Sequence, residues 1–227
     1  MIKKQVINSV ILFMVIFAVS CKKESGEAAK FYYQYFPVNV GHWVEYDVTE
    51  IEVDEISAYY DTLNYQLREI VESEFLDNQG RPSIRIERYW RTSDTLPWTI
   101  KDVWYATRTV TQAEKIEEDY RYLRMVFPVN ESKKWNGNVY NTQAEEEYEY
   151  ESIHEPLTVG TLNFDSTVMV MQRNNTNFIE ISEASEVYAV NVGLIKKEDT
   201  YFYITYVSGN PKYTGYSLTQ TVTGYGN

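Results

Sequence analysis

Val44-Glu45-Tyr46-Asp47-Val48-Thr49 places Val, Tyr and Val at every second position, with Glu, Asp and Thr between them. Successive side chains of an extended strand point to opposite faces, so this run offers one apolar face for burial and one polar face to water. A period of two excludes an amphipathic helix here. The same alternation recurs outward along the chain. Tyr65, Leu67, Val71 and Phe75 alternate with Gln66, Arg68, Glu72 and Glu74, while Glu69 and Ile70 interrupt the pattern as at a bulge or change of register. Asp77-Asn78-Gln79-Gly80 carry hairpin chemistry ahead of a strand at 84–91. Further strands are expected at 103–111, 120–127, 145–153, 167–172, 194–207 and 216–223. The expected fold is mainly β: an antiparallel meander of nine or more strands curled into a barrel, half-barrel or sandwich, with at most one or two short helices. The helical candidates are 54–61 and 180–188, rich in Ala, Ser and Glu, although loops satisfy the sequence equally well.

The N-terminal residues differ from this pattern. Lys3 and Lys4 lead into an apolar run from Val10 to Val19 that ends at Ser20-Cys21, which is the composition of a secretion signal. The run falls short of the roughly 20 apolar residues that span a bilayer as a helix. Phe17-Ala18-Val19-Ser20-Cys21 resembles the lipobox cut by lipoprotein signal peptidase, with Ala18 where Leu is usual. Cys21 is the single cysteine of the 227-residue chain, so no disulfide forms within it. The expected organisation is a signal peptide at 1–20, a lipidated tether at 21–30 and one β-rich domain at 31–227. Lipid attachment is assigned to Cys21, through palmitate-type acyl chains that each contribute roughly 0.8 kcal/mol per buried methylene.

Removing the leader leaves 19 basic against 33 acidic side chains, a balance of −14. Such a domain repels phosphate backbones, so nucleic acid is not expected as a partner. The tether KKESGEAAK, residues 22–30, has no apolar period to bury.

Phe36-Pro37-Val38-Asn39 followed by Trp43 is echoed by Phe127-Pro128-Val129-Asn130 followed by Trp135, with spacings that differ by one residue. A duplicated half-domain and a chance recurrence both account for it. Tyr35-Phe36-Pro37-Val38-x-x-Gly41-x-Trp43-x-x-Tyr46 is similar to the opening of uncharacterised outer-membrane lipoproteins of the Bacteroidota type. Trp135-Asn136-Gly137-Asn138 and Tyr188-Ala189-x-x-Val192-Gly193-Leu194-Ile195-x-Lys197 resemble the middle and closing motifs of the same group. The resemblance implies an outer-membrane, lipid-anchored, mostly β protein, and carries no reaction with it. It leaves the periplasmic and surface faces both open. Gly41 and Gly193 also have a structural reading, as backbone positions beside packed aromatic and aliphatic residues.

Chemistry-bearing constellations are sparse. The two histidines, His42 and His154, and an acylated Cys21 make a poor ligand set for zinc or iron, and no G-x-S-x-G elbow is present. Neither catalytic residues nor a metal site is assigned, and no cofactor is expected. In Glu145-Glu146-Glu147-Tyr148-Glu149-Tyr150-Glu151, three glutamates share one strand face and the tyrosines the other, as on a solvated surface over a core. The segment 201–207, aromatic or apolar on both faces, is expected centrally in a covered sheet or lining a cavity. The most suggestive cluster is Trp90, Arg91, Trp98, Trp104 and Tyr105, whose rings stack against sugars or line an apolar pocket; core packing is the competing explanation for Trp90 and Trp104. Trp98, after Pro97 in a polar loop, is expected to be the exposed platform. The leading expectation is a membrane-anchored envelope lipoprotein that binds a glycan, lipid or protein without catalysing a reaction. A carboxylate-dependent glycoside hydrolase and a structural envelope spacer are the alternatives.

Overall fold

A computed structural model describes Lys30–Asn227; the leader and Cys21 lie outside the described residues. Residues Phe31–Asn227 form a compact unit. After a 3-10 turn at Tyr33–Tyr35 come β1 (Trp43–Asp54), β2 (Tyr59–Leu76), β3 (Pro82–Arg91), β4 (Thr99–Arg108), β5 (Gln112–Glu117) and β6 (Tyr120–Val126). Then follow β7 (Lys134–Asn136), β8 (Glu147–Val159), β9 (Leu162–Thr176), β10 (Glu180–Ala189), β11 (Gly193–Val207) and β12 (Asn210–Gly226). All lie in one antiparallel sheet of order β6-β5-β4-β3-β2-β1-β12-β11-β10-β9-β8-β7. It is a nearly closed barrel, of the mainly-β class that the period-two runs predict.

The chain thus makes two successive six-stranded meanders, joined where β1 pairs with β12. Their free edges, β6 and β7, meet through a short seam. The Leu123 amide donates to the Gly137 carbonyl at 2.8 Å, and the Trp135 indole donates to the Leu123 carbonyl at 2.9 Å. The Tyr150 hydroxyl accepts from the Val126 amide and donates to its carbonyl. The two Phe-Pro-Val-Asn segments stand just before β1 and β7, the first strand of each meander. The one-residue difference in spacing reverses the facing of the two tryptophans. Trp135 packs inside against Tyr148 and Tyr150, whereas Trp43 lies outside against Arg68.

Alternation sorts the side chains as the sequence indicates. Val44, Tyr46 and Val48 are buried, as are Tyr148 and Tyr150 opposite the outward Glu147, Glu149 and Glu151. The outer face carries cross-strand ion pairs such as Arg85–Glu72 and Lys134–Glu147. Three segments depart from the sequence reading. Residues 180–188 lie within β10, and 54–61 are the end of β1, a tight turn and the start of β2, so neither is helical. The segment 201–207 is not covered. It sits at the tip of the β11–β12 hairpin with Tyr203, Tyr206 and Val207 exposed and Ile204 alone among its residues buried.

Candidate functional site

The interior of the barrel is apolar at one end and ionic across its waist. Along β1 to β4 a single cross-strand row reads Val44, Glu69, Arg88, Asp102. Along β1, β12, β11 and β10 a second row reads Val48, Gln220, Lys197, Glu186. Directly opposed residues share a face, so these charges point inward with the core. Lys115 and Glu117 from β5 and Arg124 from β6 complete the set.

The result is a charge-balanced network of four carboxylates and four cations. Arg88 bonds Glu69 through Nε at 2.9 Å and Asp102 through Nη1 at 2.9 Å, and the Lys115 ammonium bonds Glu69 at 3.1 Å. Arg124 reaches Glu117 at 2.8 Å and Glu186 at 3.4 Å. Lys197 lies further from the same two carboxylates, 3.5 Å from Glu186 and 3.9 Å from Glu117. The Tyr188 hydroxyl donates to Glu186, and the guanidinium planes of Arg88 and the ammonium of Lys115 sit over the Trp104 ring.

These partners keep the acids charged although they are buried. Burial pushes the Glu117 and Glu186 carboxyls up, but the nearby Arg124 and Lys197 charges outweigh it and hold both below the ordinary carboxylate range. Glu69 is lowered likewise, with Lys115 and Arg88 outweighing burial. Burial lowers Arg124, yet Glu117 and Glu186 overcome it and leave the guanidinium firmly protonated. Burial raises Tyr46 and Tyr188 well above the usual phenol value, so both stay neutral.

Against this floor lies a cavity of about 80 Å³. Its apolar walls include Phe36, Val44, Val71, Ile84, Ile86 and Leu194, and its polar side is made by Glu69, Lys115, Glu117, Glu186, Lys197 and Gln220. Trp104 and Tyr46 complete the lining. Gln220 is 5 % exposed, and its amide nitrogen makes no hydrogen bond of ordinary geometry among the described residues, its side chain lying beside the Tyr46 hydroxyl. The segment before β1 closes one end. His42 donates through Nε2 to the Val192 carbonyl at 2.9 Å, and its Nδ1 lies 2.8 Å from the Asn227 side-chain amide. Arg108 donates to the Phe36 carbonyl at 2.7 Å, fixing the 3-10 turn. Gly193, at φ +86°, lets the β10–β11 turn pass beside Pro37, where a Cβ would stand 3.2 Å from the proline ring.

The aromatic cluster read from the sequence divides between the two faces. Trp104 lines the cavity. Trp90, opposite the buried Leu67, faces inward and lines a separate open recess with Tyr65, Glu50, Leu63, Ile100 and Lys101. Trp98 is half-buried on the outside, its ring 4.4 Å from the Arg91 guanidinium and 4.6 Å from that of Arg68. Arg91 also pairs with Asp94. Tyr105 is outside too, edge-on to Phe75. These five residues therefore do not converge on one surface. His154 packs at the closed end, its Nδ1 2.7 Å from the Tyr35 hydroxyl. Local alternation does not mark the interior charges as a group, although Glu69, Arg88, Glu186 and Lys197 each occupy an apolar-register position of a period-two run.

Compared with protein-family models, with curated proteins and with solved structures, the chain gives no significant match.

Proposed function

We propose that this is a lipid-anchored envelope lipoprotein whose barrel interior receives a small ligand with one polar and one apolar end. The observation that carries the reading is the cavity between the ionic floor and the Val71, Ile84 and Ile86 wall, with the unsatisfied Gln220 amide beside it. A buried donor without a partner costs roughly 1–3 kcal/mol, and a ligand that accepts its hydrogen bond recovers that cost. The anchor is Cys21, read from its lipobox-like surroundings and the absence of other cysteines. The Bacteroidota-type resemblance of the opening, middle and closing motifs supports an outer-membrane location. Ion pairs such as Arg85–Glu72 and Lys134–Glu147 stand on the outer face, where a membrane-spanning barrel carries an apolar band.

Two features weigh against a glycoside hydrolase. Such an enzyme needs one carboxyl held protonated as the general acid, whereas Glu69, Glu117 and Glu186 are all shifted toward the charged form. The space that these carboxylates line, about 80 Å³, is also about half the roughly 150 Å³ of an engineered apolar site that holds one benzene. The spacer alternative calls for a filled core.

The test is methyl NMR of Ile, Leu and Val side chains during titration with a panel of small polar-headed and apolar molecules. Saturable shifts at Val71, Ile84 and Ile86, lost in an Ile86→Phe variant that fills the space, are expected. No saturable shift from any member would remove the binding role. Independently, mass spectrometry should find an acylated N-terminus at Cys21, and Cys21→Ser should release the chain from membranes or stall its processing. An unmodified thiol would refute the anchor.

A further inference from the structure

We infer that the inner face of the sheet above the barrel mouth docks a short basic segment of a partner protein, its arginines or lysines against the carboxylates there and one bulky apolar side chain beside Trp90. The inference is separate from the interior cavity and goes beyond it.

Strand length creates the surface. The inward row of Val48, Gln220, Lys197 and Glu186 meets the opposite wall through Glu117 and Arg124. That wall turns back there, since β5 ends at Glu117 and β6 begins at Tyr120. β1, β12 and β11 run on. Three further inward rows start from Glu50, Glu52 and Asp54 of β1 and pass across β2, β12, β11 and β10. On them Tyr59, Leu63, Tyr201, Tyr203 and Tyr216 are 36–49 % exposed, against 2–5 % for Val48, Gln220 and Glu186 one row lower. Three rows of about 6.6 Å and four strand spacings of about 4.8 Å make a face of roughly 400 Å².

Charge decides the occupant. Glu50, Glu52, Asp54, Asp61 and Glu180 stand among these tyrosines, and none of the five forms an ion pair among the described residues. Glu52 and Asp61 are directly opposed on β1 and β2, an arrangement of like charges that destabilises a sheet. The nearest cations lie on the rim of the face. Arg173 is held by Glu146 and Asp199, Lys101 stands beside Asp102, and Lys212 on the next row out pairs with none of the five. No group of three metal-ligating side chains converges among the described residues, so the spread of charge suits several cations along one chain. Nucleic acid and anionic lipid surfaces are repelled. A second copy would bring the same negative face, and roughly 400 Å² per partner is half of what a stable interface buries. One short segment fits that area.

The aromatic side chains decide what else the segment carries. At the foot of the face, Leu63, Tyr65, Trp90 and Ile100 line an open recess of about 280 Å³, with Trp90 edge-on to Tyr65 at 5.9 Å. It has room for a side chain the size of phenylalanine or leucine. Above it, the Tyr201 and Tyr216 rings lie side by side at 6.5 Å, and such ring faces attract guanidinium groups.

The experiment uses the full chain as the cell produces it, in detergent. The probe is a labelled peptide of alternating arginine and serine around one central phenylalanine, followed by fluorescence anisotropy and amide NMR. Saturable binding is expected, with shifts at the Tyr59, Tyr201, Tyr203 and Tyr216 amides and a loss of about fivefold or more in affinity from low to high salt. Alanine in place of the phenylalanine should weaken binding about tenfold, and a peptide with glutamate in place of arginine should not bind. Glu52→Gln combined with Asp61→Asn should weaken the arginine peptide about tenfold while the chain unfolds at the same or a higher urea concentration, because the repulsion between the two is relieved. A purely structural role for the pair would lower that concentration. Tyr203→Ser, at the exposed tip, reads the same surface independently and should weaken the peptide about threefold. Affinity unchanged in both variants, equal affinity for the alanine peptide, or the same amide shifts from the glutamate peptide overturns the assignment. So does the appearance of those shifts on concentrating the chain alone, which would make the face a contact between copies.

Discussion

Arg124→Met removes the cation that the ionic floor depends on most. Arg124 is 4 % exposed and bonds Glu117 at 2.8 Å and Glu186 at 3.4 Å. Methionine retains most of the apolar stem, so the change isolates the charge. Deleting one partner of a buried ion pair costs about 3–5 kcal/mol, because the charge left behind is uncompensated. Here two carboxylates are left, with Lys197 no nearer than 3.5 Å, so the upper part of that range is expected at neutral pH. That is a large share of the 5–15 kcal/mol typical of a folded domain. The dependence on pH distinguishes this account from a simple packing defect. In the parent chain, burial raises Glu117 and Glu186 but Arg124 and Lys197 prevail and lower both. The folded state then binds fewer protons than the unfolded one. Its stabilisation is fully present above the unfolded carboxylate value of about 4.3 and is lost as pH falls through the folded values. Without Arg124, burial and mutual repulsion dominate and the two carboxyls rise. The variant then gains by holding protons at low pH and loses that contribution as pH rises through the raised values. The deficit relative to the parent should be largest near pH 7 and shrink towards pH 4. Urea unfolding followed by tryptophan fluorescence across that range measures it. A deficit under about 1 kcal/mol at pH 7, or one unchanged at pH 4, would refute the reasoning.

Tyr46→Ala should cost at least about 3 kcal/mol in the same assay, since the ring is 1 % exposed and its hydroxyl donates to the Leu194 carbonyl at 3.0 Å; a neutral result would mean that β1 faces the other way. Gly137→Ala would put a Cβ 2.3 Å from the Tyr148 ring, next to the β6–β7 seam. Overpacking of that kind costs about 1–3 kcal/mol, and hydrogen exchange at the Leu123 amide should accelerate; an unchanged rate would mean that the seam is not closed through that bond. Trp98→Ala should cost about 1 kcal/mol through the lost contacts with Arg68 and Arg91 and should leave binding at the interior cavity unaltered, because Trp98 lies outside the barrel. A tenfold loss of binding would place the ligand on the outer face.

The architecture was legible where burial follows polarity. Val44, Tyr46 and Val48 fixed the facing of β1, Tyr148 and Tyr150 that of β8, and Asp77-Asn78-Gln79-Gly80 the turn into β3. The site was legible only as an irregularity. Glu69 reads as a break in the Tyr65, Leu67, Val71 series, yet it keeps the inward register, and the register shift of β2 comes after Val71. A charge at an apolar-register position has two explanations, a slipped strand or a buried ion. What decides between them is a partner such as Lys115, on a strand that no local pattern brings near. In 180–188, Ser182, Ala184 and Glu186 suggest helix composition, but they are inward β10 residues, with Glu186 facing Arg124 and Lys197. The tip segment 201–207 misled in the other direction. Its aromatic content implies burial, but β11 and β12 run on to a hairpin tip where most of these rings meet water.

A crystal structure of the chain soaked with the molecule that most shifts its Val71, Ile84 and Ile86 methyl signals tests the central claim most directly. Density for one molecule in the interior cavity is predicted, its polar end towards Lys197 and Gln220 and its apolar end against Ile84 and Ile86. A cavity that holds ordered water alone under saturating concentrations of that molecule, or one that the side chains of Val71, Ile84 and Ile86 have collapsed to fill, would contradict the account.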